Sequence, residues 1–223
     1  MKIEQIKVTI QYLEDLLATA SGDPKIQEGF ISSKIAEFKG GQSADEAAAK
    51  IAEELSTSSV EEQIEKASTI FHHDEAGIFL YDYMFRGFIK ETVATLIELG
   101  EVKKLNPWNY RKACDKSITV YPRRVYFQRN GGGNITTPDG SLQRPLRAAT
   151  MRGERVALAR SEFVKAGAEQ SFEIKLLVTQ NPKSPWTEIN RDLIQTCLNL
   201  GVYSGIGQWR SGGQGRFTVT KFE

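Results

Sequence analysis

Apolar and polar positions alternate at both ends of the chain. Ile6, Val8, Ile10 and Tyr12 are separated by polar residues, which predicts a strand with one buried face. Phe172, Ile174, Leu176 and Val178 alternate in the same way and predict the clearest strand in the chain. Between them the period changes. Phe85, Phe88, Ile89, Val93, Leu96 and Ile97 recur at helical spacing, which predicts a helix from about Asp82 to Leu99 that ends at Gly100. Ile118, Val120, Val125 and Phe127 mark strand material broken near Pro122, and Val156 to Arg160 reads as a short strand. Asn130-Gly131-Gly132-Gly133-Asn134 must turn sharply or move. Pro185 and Thr187 introduce a helix with Ile189, Leu193, Ile194, Cys197 and Leu198 on one face, and Gly201 ends it. Phe217 and Val219 lie in a final strand.

Ser21-Gly22-Asp23-Pro24 signals a turn after the first strand. Ser43 with Glu46 and Ser59 with Glu62 fit the capping box, in which each side chain satisfies an end amide of a helix. Ala47, Ala48, Ile51, Ala52 and Leu55 form an apolar stripe after the first box; Ile64, Ala67, Ile70 and Phe71 do so after the second. Residues 20–75 therefore read as a helical insertion. Without it the order is strand, helix, strand, strand, helix, strand. That order predicts an α+β fold with a ferredoxin-like (RRM-like) antiparallel sheet core, in a single domain spanning 1–223. The open face of such a sheet is suited to RNA.

Composition adds a charge split. The net charge of +1 conceals nine Lys and Arg against eighteen Asp and Glu in residues 1–100, and twenty against ten in residues 101–223. A basic half suits a polyanion, and an acidic half suits a basic partner or plain solvation. No apolar run reaches the ~20 residues of a membrane span, and no secretory leader pattern opens the chain. Cys114 and Cys197 are isolated, so no disulfide framework is expected, and a reducing cytoplasm is the simple reading.

The densest chemistry lies near the C-terminus. Gly205, Gly207, Gly212, Gly213 and Gly215 are interspersed with Trp209, Arg210 and Arg216. Glycine lets backbone approach a ligand closely, arginine pairs with phosphate, and tryptophan offers a stacking face. The plain alternative is a glycine-rich turn that lets two elements pack. A dinucleotide fingerprint is excluded, because position 210 is Arg and the order is helix, loop, strand. The Lys-Ser/Thr ending of a P-loop is missing. Upstream, Arg144, Arg147, Arg152, Arg155 and Arg160 fall within seventeen residues, preceded by Arg123 and Arg124. They form a second candidate phosphate-binding group, or else a solvated loop. Tyr126 and Phe127 cannot both face one side of a strand, so at least one belongs to the core.

His72 and His73 are the two histidines and read as a helix end. They are also the candidate general bases for RNA cleavage. No second cluster supplies metal-ligand spacing, so neither a metal nor a cofactor is expected. Cys197 falls on an apolar helix face and reads as core. Trp108 and Trp186 each follow a proline and read as loop anchors.

Three segments together resemble the RAMP superfamily of CRISPR proteins, and its backbone subunits most of all. They are Gly207 to Phe217, Gly77 to Glu91 with Phe85-Arg86-Gly87-Phe88, and Arg160 to Gly167 ahead of the strand at Phe172. The resemblance implies a ferredoxin-like core with insertions, a glycine-rich loop before the last strand, and subunits that line up along guide RNA. It is also similar to stand-alone bacteriophage relatives of that superfamily. The expected function is non-catalytic binding of RNA or single-stranded nucleic acid, as a homo-oligomer along it or within a host protein complex. The alternatives are a phage-encoded inhibitor of host defence acting through a protein or nucleotide partner, and a metal-independent endoribonuclease. The expected location is the cytoplasm of a bacterial or phage-infected cell.

Overall fold

The alternation Ile6-Val8-Ile10-Tyr12 becomes strand β1, Lys2–Tyr12, with those four side chains buried and their neighbours turned to the opposite face. The computed structural model describes residues 2–22, 68–129, 132–150 and 153–223, the side chains of 145–158 excepted. After β1 come β2 (Leu16–Leu17), β3 (Ala20–Ser21), β4 (Thr69–Ile70), β5 (His72–Asp74) and β6 (Gly77–Tyr81). Then follow α1 (Asp82–Glu98), α2 (Tyr110–Ser117), β7 (Ile118–Tyr121) and β8 (Arg124–Arg129). The remainder is β9 (Gly140–Thr150), β10 (Gly153–Val164), β11 (Ala168–Val178), α3 (Arg191–Asn199), α4 (Gly201–Ser204) and β12 (Phe217–Phe222).

The chain divides into two compact units. The first comprises Met1–Leu17, His72–Asp139 and Phe163–Glu223. Its sheet runs in the order β12, β1, β11, β8, β6, β5, with β7 also paired to β11. Every pairing in it is antiparallel. β7 and β8 act as one strand interrupted at Pro122, since both pair with β11, at Glu173–Leu176 and Ala168–Gln170 respectively. With that interruption healed, the strands in chain order are β1, β7/β8, β11 and β12. Their spatial order is fourth, first, third, second, with α1 and α3 as the two crossovers. This is the expected ferredoxin-like α+β core, and the hairpin β5–β6 extends it beyond β8.

The helices cover one face of that sheet. Phe85 of α1 meets Phe172 at 4.5 Å between ring centroids, and Phe88 meets Phe217 at 5.0 Å. Ile194, Cys197 and Leu198 of α3 are buried, as its apolar stripe requires, and Asn190 caps the helix by accepting from the Leu193 amide at 2.9 Å. One polar pair enters this core. The Tyr12 hydroxyl donates to Gln170 Oε1 at 2.7 Å, and Gln170 Nε2 donates to the Val125 carbonyl at 2.7 Å. Both side chains are thereby satisfied in full burial, which ties β1, β11 and β8 together.

The second unit comprises Ala18–Phe71 and Gly140–Glu162. β3 pairs antiparallel with β4, and Ser161 of β10 pairs in parallel with Thr69 of β4, where the Thr69 hydroxyl donates to Ser161 Oγ at 2.8 Å. The expected helical insertion falls mostly on residues 23–67, outside the described residues; at its described ends the chain lies in β3, β4 and β5. Two local readings change. Residues 144–150 and 153–155, read as part of a possible solvated loop, belong to β9 and β10, which pair with each other. His72 and His73, read as a helix end, lie in β5. The run Gly77-Ile78-Phe79-Leu80 gives β5 a strand partner, which a helix could not use.

Among the described residues no helix is long and apolar enough to cross a membrane.

Candidate nucleic-acid interface

The glycine-rich segment leaves α4 at Gly205, whose φ of 64° lies in the left-handed region. It then crosses the chain between β1 and β2. The Gly215 amide donates to the Asp15 carbonyl at 2.9 Å, the Leu13 amide to the Arg216 carbonyl at 2.8 Å, and the Ile206 amide to the Gly215 carbonyl at 2.9 Å. These bonds leave no space for side chains. A Cβ on Gly207 would lie 2.7 Å from Leu16 Cδ1 and 2.9 Å from the Leu17 carbonyl oxygen; one on Gly205 would lie 2.8 Å from the Gln214 oxygen. Gly205, Gly207 and Gly215 therefore serve close packing of the loop's base, the plainer of the two sequence readings.

The tip differs from the base. Trp209 has φ 54°, and among the described residues it is the one non-glycine with positive φ. A bulky residue there is strained by about 1–2 kcal/mol. Its indole lies over Gly212, where a Cβ would stand 2.5 Å from Trp209 Cε2. The short 3-10 turn Arg210–Gly212 then returns the chain, with the Gly212 amide donating to the Trp209 carbonyl at 2.9 Å. The result is an exposed indole on a tight turn flanked by arginine. Arg210 donates to Glu91 of α1 at 2.6 Å, with both side chains partly exposed. Arg216 is exposed. Gly213, with φ 89°, has only the Arg216 guanidinium near its Cβ position, at 3.6 Å. Tyr203 on α4, 74% exposed, stands just before the loop. The sequence reading missed it because it follows directly on an apolar helix; an aromatic residue past the end of the buried stripe was the available signal.

The other candidates occupy different places. Arg123 lies over the Tyr81 ring at 5.8 Å. Arg124 and Tyr126 project from β8 on the face opposite the helices, while Val125 and Phe127 are buried on the helix side. Arg124 donates to Asp74 at 2.6 Å and the Tyr126 hydroxyl donates to it at 2.8 Å. The Tyr126 hydroxyl bond is the largest cause holding the Asp74 carboxyl below its usual range. Arg124 is thus spoken for by a carboxylate on the open face, whereas Arg210 sits beside α1 on the helix side. Arg144 lies on β9 in the second unit, where burial pushes its guanidinium down. The Arg147 and Arg155 side chains, and Arg152 altogether, lie outside the described residues.

On the open face β1 and β11 themselves carry no rings; the rings there stand on neighbouring strands, Tyr126 on β8 and Tyr121 on β7, the latter beneath Lys175 at 4.5 Å. β1 and β11 present Lys7, Thr9, Gln11, Glu169, Ser171, Glu173 and Lys175 there. Several of these pair with one another: Thr9 with Ser171 at 3.0 Å, and Gln11 with Glu169 at 3.3 Å. RRM-type stacking needs rings on those strands.

His72 and His73 point to opposite faces of β5. His72 is half-buried against Tyr81, 4.7 Å away, and stacks on Phe79. Burial, and secondarily His73, lower its pKa. The folded protein thus binds the proton less well than the unfolded chain, so stability falls as pH drops below ~6.5 toward the lowered folded value. We expect His72→Gln to flatten the urea midpoint between pH 7 and pH 5; a slope identical to wild type would refute that assignment. Cys114 and Cys197 are both buried, which pushes their thiols up to about 11 and about 12 respectively. Among the described residues no three His, Cys, Asp or Glu side chains come together as metal ligands.

No protein-family model matches the sequence, and neither does any curated protein. The fold has solved counterparts. One is a chain of the cryo-EM structure of type III-B Cmr-beta bound to cognate target RNA, with a TM-score of 0.51 and 10% identity. The match covers 100% of this protein but 60% of that chain, so the present chain spans less than two thirds of its counterpart. A chain of a type IV-B CRISPR complex aligns over 99% of this protein and 90% of its own length, at TM-score 0.43 and 10% identity.

Proposed function

We propose that this protein binds RNA or another single-stranded nucleic acid without cleaving it, in the manner of a CRISPR backbone subunit. The loop from Gly205 to Arg216 is its principal contact. The observation that carries this reading is Trp209. A strained left-handed backbone holds an exposed indole between Arg210 and the glycines of a tight turn. Strain of that kind persists where the surroundings enforce it, and it clusters at ligand clamps. The indole supplies a stacking face, and Arg210 and Arg216 supply phosphate-pairing charge. The fold shared with a chain of Cmr-beta, a structure solved bound to cognate target RNA, supports the same reading.

The test is fluorescence anisotropy of a labelled single-stranded RNA, and of the matching DNA, titrated with protein at several salt concentrations. Log affinity should fall linearly with log salt, with a slope of roughly −0.7 per phosphate contacted. Absence of binding to both polymers at low salt would overturn the proposal.

A further inference from the structure

We infer that Trp108 is a second contact for single-stranded nucleic acid, a ring held ready for base stacking on the turn that opens α2. This rests on the function proposed above and adds a site to it. Trp108 is 94% exposed. It therefore anchors nothing, contrary to the sequence reading. A large indole left in water forgoes the burial that normally stabilises such a residue.

The turn that carries the ring is braced without the ring's help. Asn106 Oδ1 accepts from the Trp108 and Asn109 amides, both at 3.0 Å, and Asn109 Oδ1 accepts from the Asn106 amide at 3.0 Å. Pro107 restricts the backbone between them. On the N-terminal side, the Glu188 carboxylate accepts from the amides of Lys103, Lys104 and Leu105 at 3.0, 2.7 and 3.0 Å. Leu105 and Tyr110, on either side of the turn, are buried. The position of Trp108 is thus set by residues that bracket it, and little ordering is left to be done on binding.

The surroundings decide the class of partner. Lys103, Lys104, Arg111, Lys112 and Lys116 are exposed on this stretch. Of the carboxylates nearby, Glu188 is engaged by the three amides and Asp115 by Lys90 at 2.8 Å, so the exposed Glu101 stands against five cations. The ring's chain neighbours are Pro107 and Asn109 rather than large apolar residues. The centre of a protein–protein interface is depleted in charged residues, whereas single-strand binding surfaces combine exposed rings with cations.

The experiment compares wild type, Trp108→Ala, Trp108→Phe and Arg210→Ala/Arg216→Ala as full chains, using a labelled oligouridylate at several salt concentrations. Trp108→Ala should weaken binding roughly five- to hundred-fold. The salt slope should stay unchanged, because no charge is lost, and Trp108→Phe should recover most of the affinity. Thermal unfolding should be unaltered in both single variants, since the ring packs on nothing. Wild-type affinity in Trp108→Ala, with loss only in the double arginine variant, would overturn this site while sparing the proposed function. That result would return the ring to a protein partner. Failure of every protein, wild type included, to bind RNA or DNA would overturn both.

Discussion

Gly215→Ala is expected to destabilise the protein by more than ~3 kcal/mol, the largest effect of any single methyl added to the loop. Two causes act together. Gly215 has φ 72°, where an L side chain costs about 1–2 kcal/mol. A Cβ there would also fall inside the Ile206 carbonyl oxygen and come 3.0 Å from Leu16 Cδ1. Neither neighbour can retreat freely. The Ile206 amide is bonded to the Gly215 carbonyl, the Gly215 amide is bonded to Asp15, and Leu16 is fully buried. The loop would have to lift off β2, which gives up those bonds and the burial beneath them. Gly213→Ala is the control. Its φ of 89° carries a similar backbone cost, but the nearest atoms belong to the flexible end of Arg216. It should cost only about 1–2 kcal/mol. Urea denaturation of the two variants measures the difference, and equal costs would show that close approach at Gly215 does not set the loop's path.

The core strands and the main helices were legible because each obeys one period. β1 and β11 alternate, and α1 follows helical spacing to within a residue of the expected end. The parts that were hidden break the link between periodicity and burial. In β6, Gly77, Ile78, Phe79 and Leu80 are all buried, so no alternation marks the strand, and β5 beside it reads as polar. In α2 the buried positions are Tyr110, Ala113, Cys114 and Ser117, which have helical spacing but little apolar bulk. The candidate interface divides in the same way. Composition alone marked the glycine loop. The split between packing glycines and a strained tip depends on Leu16, Leu17 and Asp15, some two hundred residues earlier in the chain. The stretch leading into the Trp108 turn is braced by Glu188, which the sequence does not connect to it.

Arg210→Ala with Arg216→Ala should weaken single-stranded RNA binding by roughly ten- to hundred-fold, while Glu91→Gln should strengthen it. The opposite signs follow from one contact. Arg210 donates to Glu91 at 2.6 Å, but the two side chains are 38% and 52% exposed. An ion pair in that setting contributes only about 0–1 kcal/mol, so a phosphate can displace the carboxylate at little cost. Replacing Glu91 by glutamine removes a negative charge beside the incoming backbone, and a few-fold gain is expected. Folding stability should change by less than ~1 kcal/mol in Glu91→Gln. The double arginine variant should also lower the salt slope by about 1.4, the share of two phosphate contacts to a single strand. Anisotropy titrations across a salt series read both quantities. If Glu91→Gln weakens binding, or the double variant keeps the wild-type slope, Arg210 serves to hold the loop to α1 and the phosphate contact lies elsewhere. If both signs appear, the Arg210–Glu91 pair is the resting state of the site, and nucleic acid binds by exchanging one anion for another.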